Sequence, residues 1–442
     1  MTKDMTTGNP VKIILAFMIP VALGNIFQQF YNIADSIIAG QFLGVDALAA
    51  IGSTTSLIFM VTGWVNGLTS GFSIWISQWF GAGKNDEMRH YTAMSIYICV
   101  GFIVLMTGGL LIANVPILRL MNSPENLIGD ISSYMSIIYG GLVVTFAYNA
   151  FAGVLRALGD SKSPLYFLII SAFINIILDI VFIVVFHMGV EGCGYATVIA
   201  QGISSILCLI FIIRKFHVLR LRKEDFRFSF NTIGNLLKLG IPMALQFSIT
   251  AIGIVIVQSA VNIYGAAKIA GFAAAGKIQG MICTVFTSFG ATVATYVGQN
   301  RGAGKMDRVK RGVYLTQVMI LISSFILMFA VYFSGKYMLY AFVKPSETEV
   351  LMAGQTYFKT IVWAYPFLGS IFLYRNALQG MGYGLVPMLG GIFELVARAA
   401  VVAVVAGNVS FTGVCLTDPA AWIAALIPLV PYYYWIMRKK HS

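Results

Sequence analysis

The chain has 442 residues, of which 58% are hydrophobic and only 10% charged, whereas a soluble domain carries about a quarter charged residues. With a mean hydropathy of +0.83, this excludes an ordinary soluble domain and predicts an all-α polytopic membrane protein. The five cysteines, Cys99, Cys193, Cys208, Cys283 and Cys415, show no CxxC or His-rich spacing, so they predict packing residues rather than a metal site or a disulfide framework.

The first ten residues, MTKDMTTGNP, do not read as a cleavable signal. They lead into a span too long for a signal core, with no A-x-A site behind it. A span needs about 20 mostly apolar residues. The sequence predicts twelve, at residues 13–39, 47–79, 91–115, 127–154, 164–187, 192–213, 233–261, 269–298, 311–334, 350–378, 386–406 and 410–436.

An even number of spans puts both termini on one side, and the distribution of basic residues selects the side. With the termini inside, the inner segments hold 21 of the 29 Lys and Arg residues, including Lys3, Lys12, Arg438, Lys439 and Lys440. The outer loops hold Arg119, Lys268, Lys336 and Lys344. The net charge of +12 is therefore a topology signal facing lipid headgroups, and nucleic acid is not a predicted partner.

The chain also repeats itself. SQWFGAGK (77–84) matches GQNRGAGK (298–305), IPVAL (19–23) matches IPMAL (241–245), and LRALGDSKSP (155–164) matches LQGMGYGLVP (378–387). Six spans plus six spans predict a lobe at 1–213, a basic linker at 214–238 and a second lobe at 239–442. Such parallel repeats are typical of secondary transporters. GAGK is not a phosphate-binding loop: Gln78 stands for the first glycine and Asn85 for Ser/Thr, so it reads as a tight turn. ALGD (157–160) resembles an intramembrane protease motif, but Ala157 replaces its glycine and Asp160 falls in a loop.

Polar residues inside the spans carry the functional signal, because an ionisable group in hydrocarbon needs a partner, a watery cavity or a role. No charge separates Lys12 from Asp35, which lies roughly 33 Å along its helix, near the outer end of the membrane core. Asp179 lies deep in an uncharged run, with Asn175 one helical turn before it on the same face. Thr197 and Gln201 sit at i,i+4 on the next span, and Asn149 lies in the fourth. Such oxygen groups suit a hard cation, and two close carboxylates equally suit proton exchange.

The second half differs. Asp35 maps to Val257, Asn175 to Arg398 and Asp179 to Val402. Glu394 and Arg398 at i,i+4 are spaced to form an ion pair, while Lys277 and Arg375 have no partner legible in the sequence. Ion coupling is therefore expected in the first half.

The ordered set of IP.AL, G..ALAAIG, SQ..GAG and GVLRALGDSKSP, with its internal repeat, resembles the multidrug and toxin extrusion (MATE) family over nearly the whole chain. Asp35, Asn175, Asp179 and Thr197 resemble the acidic site of the DinF-like branch. The NorM-like branch has acids in spans seven and ten, and this chain has Gln258 and no acid there.

The resemblance implies an antiporter that exports amphipathic, cationic drug-like molecules through a cavity between the lobes. The exchange would be against H+ or Na+, the latter held at Asp35, Asn175, Asp179 and Thr197. Tyr31, Asn149, Gln201, Lys277 and Arg398 are candidate cavity residues. No cofactor and no enzymatic activity are expected, and the chain is expected to be a monomer in a bacterial cytoplasmic membrane. A lipid-linked glycan flippase of the same superfamily stays open, because Lys277, Arg375 and Arg398 would suit a pyrophosphate. A membrane enzyme lacks HExxH and GxSxG, and a channel lacks a filter-like repeat.

Overall fold

The computed structural model describes residues 4–121, 123, 125–406 and 410–439; Lys3 and Lys440, counted above as inner basic residues, lie outside them. The described residues form helices and no strands, as apolar segments must when lipid cannot satisfy their backbone groups. The first series is α1 (Pro10–Phe42), α2 (Val45–Gly81), α3 (Asn85–Leu120), α4 (Ile128–Gly140), α5 (Leu142–Ala157), α6 (Lys162–Ile180) and α7 (Val190–Lys215). The second is α8 (Phe230–Val261), α9 (Ala266–Gly302), α10 (Met306–Leu339), α11 (Thr348–Ile361), α12 (Tyr365–Gly380), α13 (Leu385–Ala406), α14 (Phe411–Cys415) and α15 (Thr417–Lys439).

Ten of the described helical segments are long and apolar enough to cross a membrane, and α4 with α5, bent by 45°, makes an eleventh. The tenth predicted span, 350–378, falls on α11 and α12. These have only 14 and 16 residues, separated by the 3-10 turn Val362–Ala364. The cause is local: Pro366 opens α12 and has no N–H to continue α11. In the fourth span the break falls at Gly141, where a β-carbon would lie 2.3 Å from the Val198 side chain. The fourth helix of each half is thus broken at equivalent places.

The duplication is written into the backbone. Gly44, Gly83 and Gly159 have φ of 90°, 70° and 83°, and their repeat partners Gly265, Gly304 and Gly382 have 86°, 72° and 81°. These are left-handed turn positions that glycine adopts without steric cost, so the GAGK segments are turns.

Two compact units result, Ile19–Ala244 with Met1–Asp4, and Leu245–Ser442 with Met5–Met18. They depart from a halving at the linker in two ways. First, the linker and the start of α8 pack with the first unit. Asp225, 7% exposed, accepts from Arg89 Nε at 3.2 Å and from the Arg222 backbone N–H at 2.6 Å. His90 contacts the Asp225 carbonyl at 3.0 Å and the Thr232 hydroxyl at 3.2 Å. Gly67 and Gly71 let α8 approach α2 so closely that β-carbons there would lie 2.5 Å from the Ala244 Cα and 2.6 Å from the Gly240 Cα.

Second, the segment before α1 packs within the second unit. The Met5 N–H donates to Gln299 Oε1 at 2.9 Å, and Asn300 Nδ2 donates to the Met5 carbonyl at 3.2 Å. Lys305 Nζ donates to the Thr6 carbonyl at 3.0 Å. Arg308 donates to the carbonyls of Gly8 at 3.0 Å and Met5 at 3.1 Å. The boundaries at Met18/Ile19 and Ala244/Leu245 fall at or within the repeated IP.AL motifs.

Candidate functional site

Within the first unit, four helices bring one polar cluster together. Helical spacing stacks Asn175 and Asp179 on one face of α6, and both are 0% exposed. Immediately after Asp179 the helix widens into a π-turn, Val181–Val185, a distortion found frequently at functional sites. Helix α1 presents Asp35, half-buried, with its carboxyl near the Asp179 carboxyl and the Tyr31 hydroxyl. Tyr31 donates to Thr197 Oγ1 on α7 at 3.2 Å. Tyr134 on α4 and Cys193 on α7, both buried, lie near the two acids.

The cluster is short of donors. Among the described residues, both carboxylate oxygens of Asp179, Oδ1 of Asp35 and both polar atoms of the Asn175 amide are buried without a hydrogen-bond partner. Two carboxylates facing each other have nothing to share unless a proton or a cation lies between them, and leaving them bare in low dielectric is costly. The amide oxygen of Asn175 and the hydroxyl of Thr197 are further oxygen donors of the type a hard monovalent cation accepts.

Of the other residues singled out in the sequence, Tyr31 joins this cluster. Asn149 instead donates along its own helix to the Thr145 carbonyl at 2.8 Å. Thr145 Oγ1 donates to Gln201 Oε1 at 2.8 Å, so Gln201 ties α5 to α7. Lys277 is exposed on α9, with its ammonium 5.6 Å from the Phe342 ring centre.

Arg375 and Arg398 are not free. In the second unit Glu394 bridges them, contacting Arg375 Nη2 at 3.2 Å and Arg398 Nη2 at 3.0 Å. Arg398 Nη2 also contacts Asp418 Oδ1 at 3.2 Å, and the Tyr357 hydroxyl donates to Asp418 Oδ2 at 2.8 Å. With its amide oxygen turned toward Arg375, Gln246 accepts from Nε and Nη1 at 2.9 Å. Two guanidinium groups and two carboxylates sum to zero formal charge, so the network neutralises itself.

The predicted site set lacks Tyr134, Asp418, Tyr357 and Gln246. A signal exists for the tyrosines, since 134 and 357 are separated by the 223 residues that relate LRALGDSKSP to its copy. Asp418 stands near the start of a predicted span, where nothing in the sequence distinguishes it from an interfacial acid.

The MatE family model matches this chain twice, at residues 20–181 and 242–404, once in each repeat. The chain belongs to the MatE family. It is 32% identical over 391 residues to the "Probable multidrug resistance protein YpnP" of Bacillus subtilis (strain 168), covering 86% of this chain and 84% of that protein. It is 28% identical over 436 residues to the "Probable multidrug resistance protein YoeA" of the same organism, covering 96% and 93%. Its fold superposes on the crystal structure of a MATE in complex with MaL6 with a TM-score of 0.92, at 20% identity and 100% coverage of both chains. As a MATE transporter the chain is a multi-pass membrane protein of twelve membrane helices in two repeated lobes.

Proposed function

We propose that this MATE transporter is a secondary antiporter that exports amphipathic organic cations in exchange for H+ or Na+ at Asp35 and Asp179. The observation that carries the reading is the fully buried Asp179 carboxylate, which lies near a second carboxyl and has no donor among the described residues. Such a pair is stabilised when a proton or Na+ enters it and is uncomfortable when empty. Coupling requires that the ion bind one conformational state better than the other, and a pair split between two helices meets that need. Asp179 is anchored on α6, while Asp35 rides on α1, which carries an internal proline at Pro20. A bend there moves Asp35 relative to Asp179, so ion occupancy and helix shape are linked.

The donor set of Asp35, Asn175, Asp179 and Thr197 supports assignment to the DinF-like branch. The names of YpnP and YoeA support drug-like cargo. The basic bias of the inner segments supports cytoplasmic termini in a bacterial cytoplasmic membrane. The flippase reading loses its main support, because Arg375 and Arg398 are already neutralised by Glu394 and Asp418.

The test is efflux of a fluorescent organic cation such as ethidium from proteoliposomes under an imposed proton or sodium gradient. Wild type should export under one gradient, naming the ion, and Asp35→Asn and Asp179→Asn should not. Gradient-independent transport, or full activity in either variant, would sink the proposal.

A further inference from the structure

The repeat places a counterpart of the ion-coupling cluster in the second unit. The helices fix the register: α6 and α13 start at Lys162 and Leu385, 223 residues apart, and α7 and α14 start at Val190 and Phe411, 221 apart. In that register Tyr134 corresponds to Tyr357, Asn175 to Arg398 and Thr197 to Asp418. The three second-unit residues meet at Asp418: Tyr357 donates to it, and Arg398 bridges it and Glu394.

The two clusters differ in charge. Among the described residues the first holds Asp35 and Asp179 and no basic side chain, a formal charge of minus two when both are ionised. The second holds two acids and two arginines. Its Arg398 guanidinium lies where the first unit has an unpartnered amide, and the backbone makes room for it. A β-carbon at Gly253 would lie 2.8 Å from Arg398 Nη1.

We propose that Arg398 is a resident cation: its guanidinium takes, in the second lobe, the place of the exchangeable cation in the first, so that ion exchange is confined to the first lobe. Arg375 balances the other acid. This rests on the reading of Asp35 and Asp179 as the ion site, and deepens it by assigning the residue that keeps the second lobe out of the exchange. Removing Arg398 leaves Glu394 and Asp418 facing one arginine, a net charge of minus one with a tyrosine hydroxyl at its edge. That is a site for one monovalent cation.

The experiment uses the purified full-length protein in detergent and counts cations per chain, as radioactive sodium retained and as protons taken up on mild acidification. Arg398→Asn, which installs the first-lobe residue, should bind one cation per chain more than wild type. Arg398→Gln, which keeps more of the length, should do the same, and Arg398→Lys, which keeps the charge, should not. Asp179→Asn should lose the wild-type ion, and Asp179→Asn with Arg398→Asn should bind only the new one. Asp418→Asn in an otherwise wild-type chain should bind as many cations as wild type.

An unchanged count in folded Arg398→Asn and Arg398→Gln would overturn the proposal. So would a gain in Arg398→Lys. Should the asparagine and glutamine variants not fold, loss of a cation in Asp418→Asn would overturn it and retention of the wild-type count would uphold it. An Asp179→Asn chain that binds as wild type would instead reject the first-lobe reading, and the Arg398 comparison separates the two failures.

Discussion

Asp179→Asn should make the protein more stable and inactive at the same time. The side chain is 0% exposed, and among the described residues neither of its carboxylate oxygens has a donor. Its facing group, the Asp35 carboxyl, is an acceptor whenever it is ionised. Asparagine has the same shape, removes one of the two like charges and supplies an N–H that can donate to Asp35. A hydrogen bond to a charged group contributes about 1.5–3 kcal/mol. At about 2–4 °C per kcal/mol for a unit of about 150–250 residues, the melting point should rise by about 3–12 °C. The comparison belongs in sodium-free alkaline detergent solution, with unfolding followed by intrinsic fluorescence. Adding Na+ or lowering the pH should then raise the wild-type melting point and leave that of the variant nearly still. Ion-driven efflux of the variant should be absent. A variant that melts below wild type without ions, or that keeps the wild-type response to them, would show that Asp179 is not a bare carboxylate awaiting an ion.

Three further outcomes follow from the packing. Glu394→Gln removes the carboxylate shared by Arg375 and Arg398 and should cost about 3–5 kcal/mol, read as a lower melting point and a poorer yield of monodisperse protein. Gly67→Ala forces a β-carbon to 2.5 Å from the Ala244 backbone and should cost about 1–3 kcal/mol. Gly52→Ala, inside the same helix with nothing within 4 Å, is its control in the same melt and should melt no lower than wild type. Arg308→Ala removes donors to the Met5 and Gly8 carbonyls and to Asn300 Oδ1. Amide exchange in residues 5–9 should quicken by roughly tenfold or more, in line with a loss of about 1–3 kcal/mol, with exchange around Asp225 unaltered.

Much of this molecule is legible from one dimension. Apolar runs of membrane length, their even number and a repeat in backbone-demanding glycines are local properties. Hydrocarbon leaves the backbone few choices, so the helices follow directly. Asp179 and Asn175 are visible for the same reason: a carboxylate deep in an uncharged run is expensive, and helical spacing alone puts the amide on its face. The helix break at Pro366 is also local, although the continuous span predicted there runs over it; the one at Gly141 sits where Val198 of another helix comes close.

Which partner each buried charge finds depends on helices that are distant in sequence. Asp35 meets Asp179 across 144 positions, and no periodicity encodes that meeting. Arg375 has no partner until α12 packs against α13, and Asp418 is undistinguished until α15 brings it to Arg398. The segments before α1 and α8 are equally invisible in sequence, because their backbone groups and Asp225 bond side chains on remote helices, Gln299, Asn300 and Arg308 for the first and Arg89 and His90 for the second. Composition and hydrophobic pattern set by themselves what crosses the membrane. Tertiary packing alone decides whether a charge inside it is neutralised by the chain or left for an ion, because that turns on the few ångströms separating side chains on different helices.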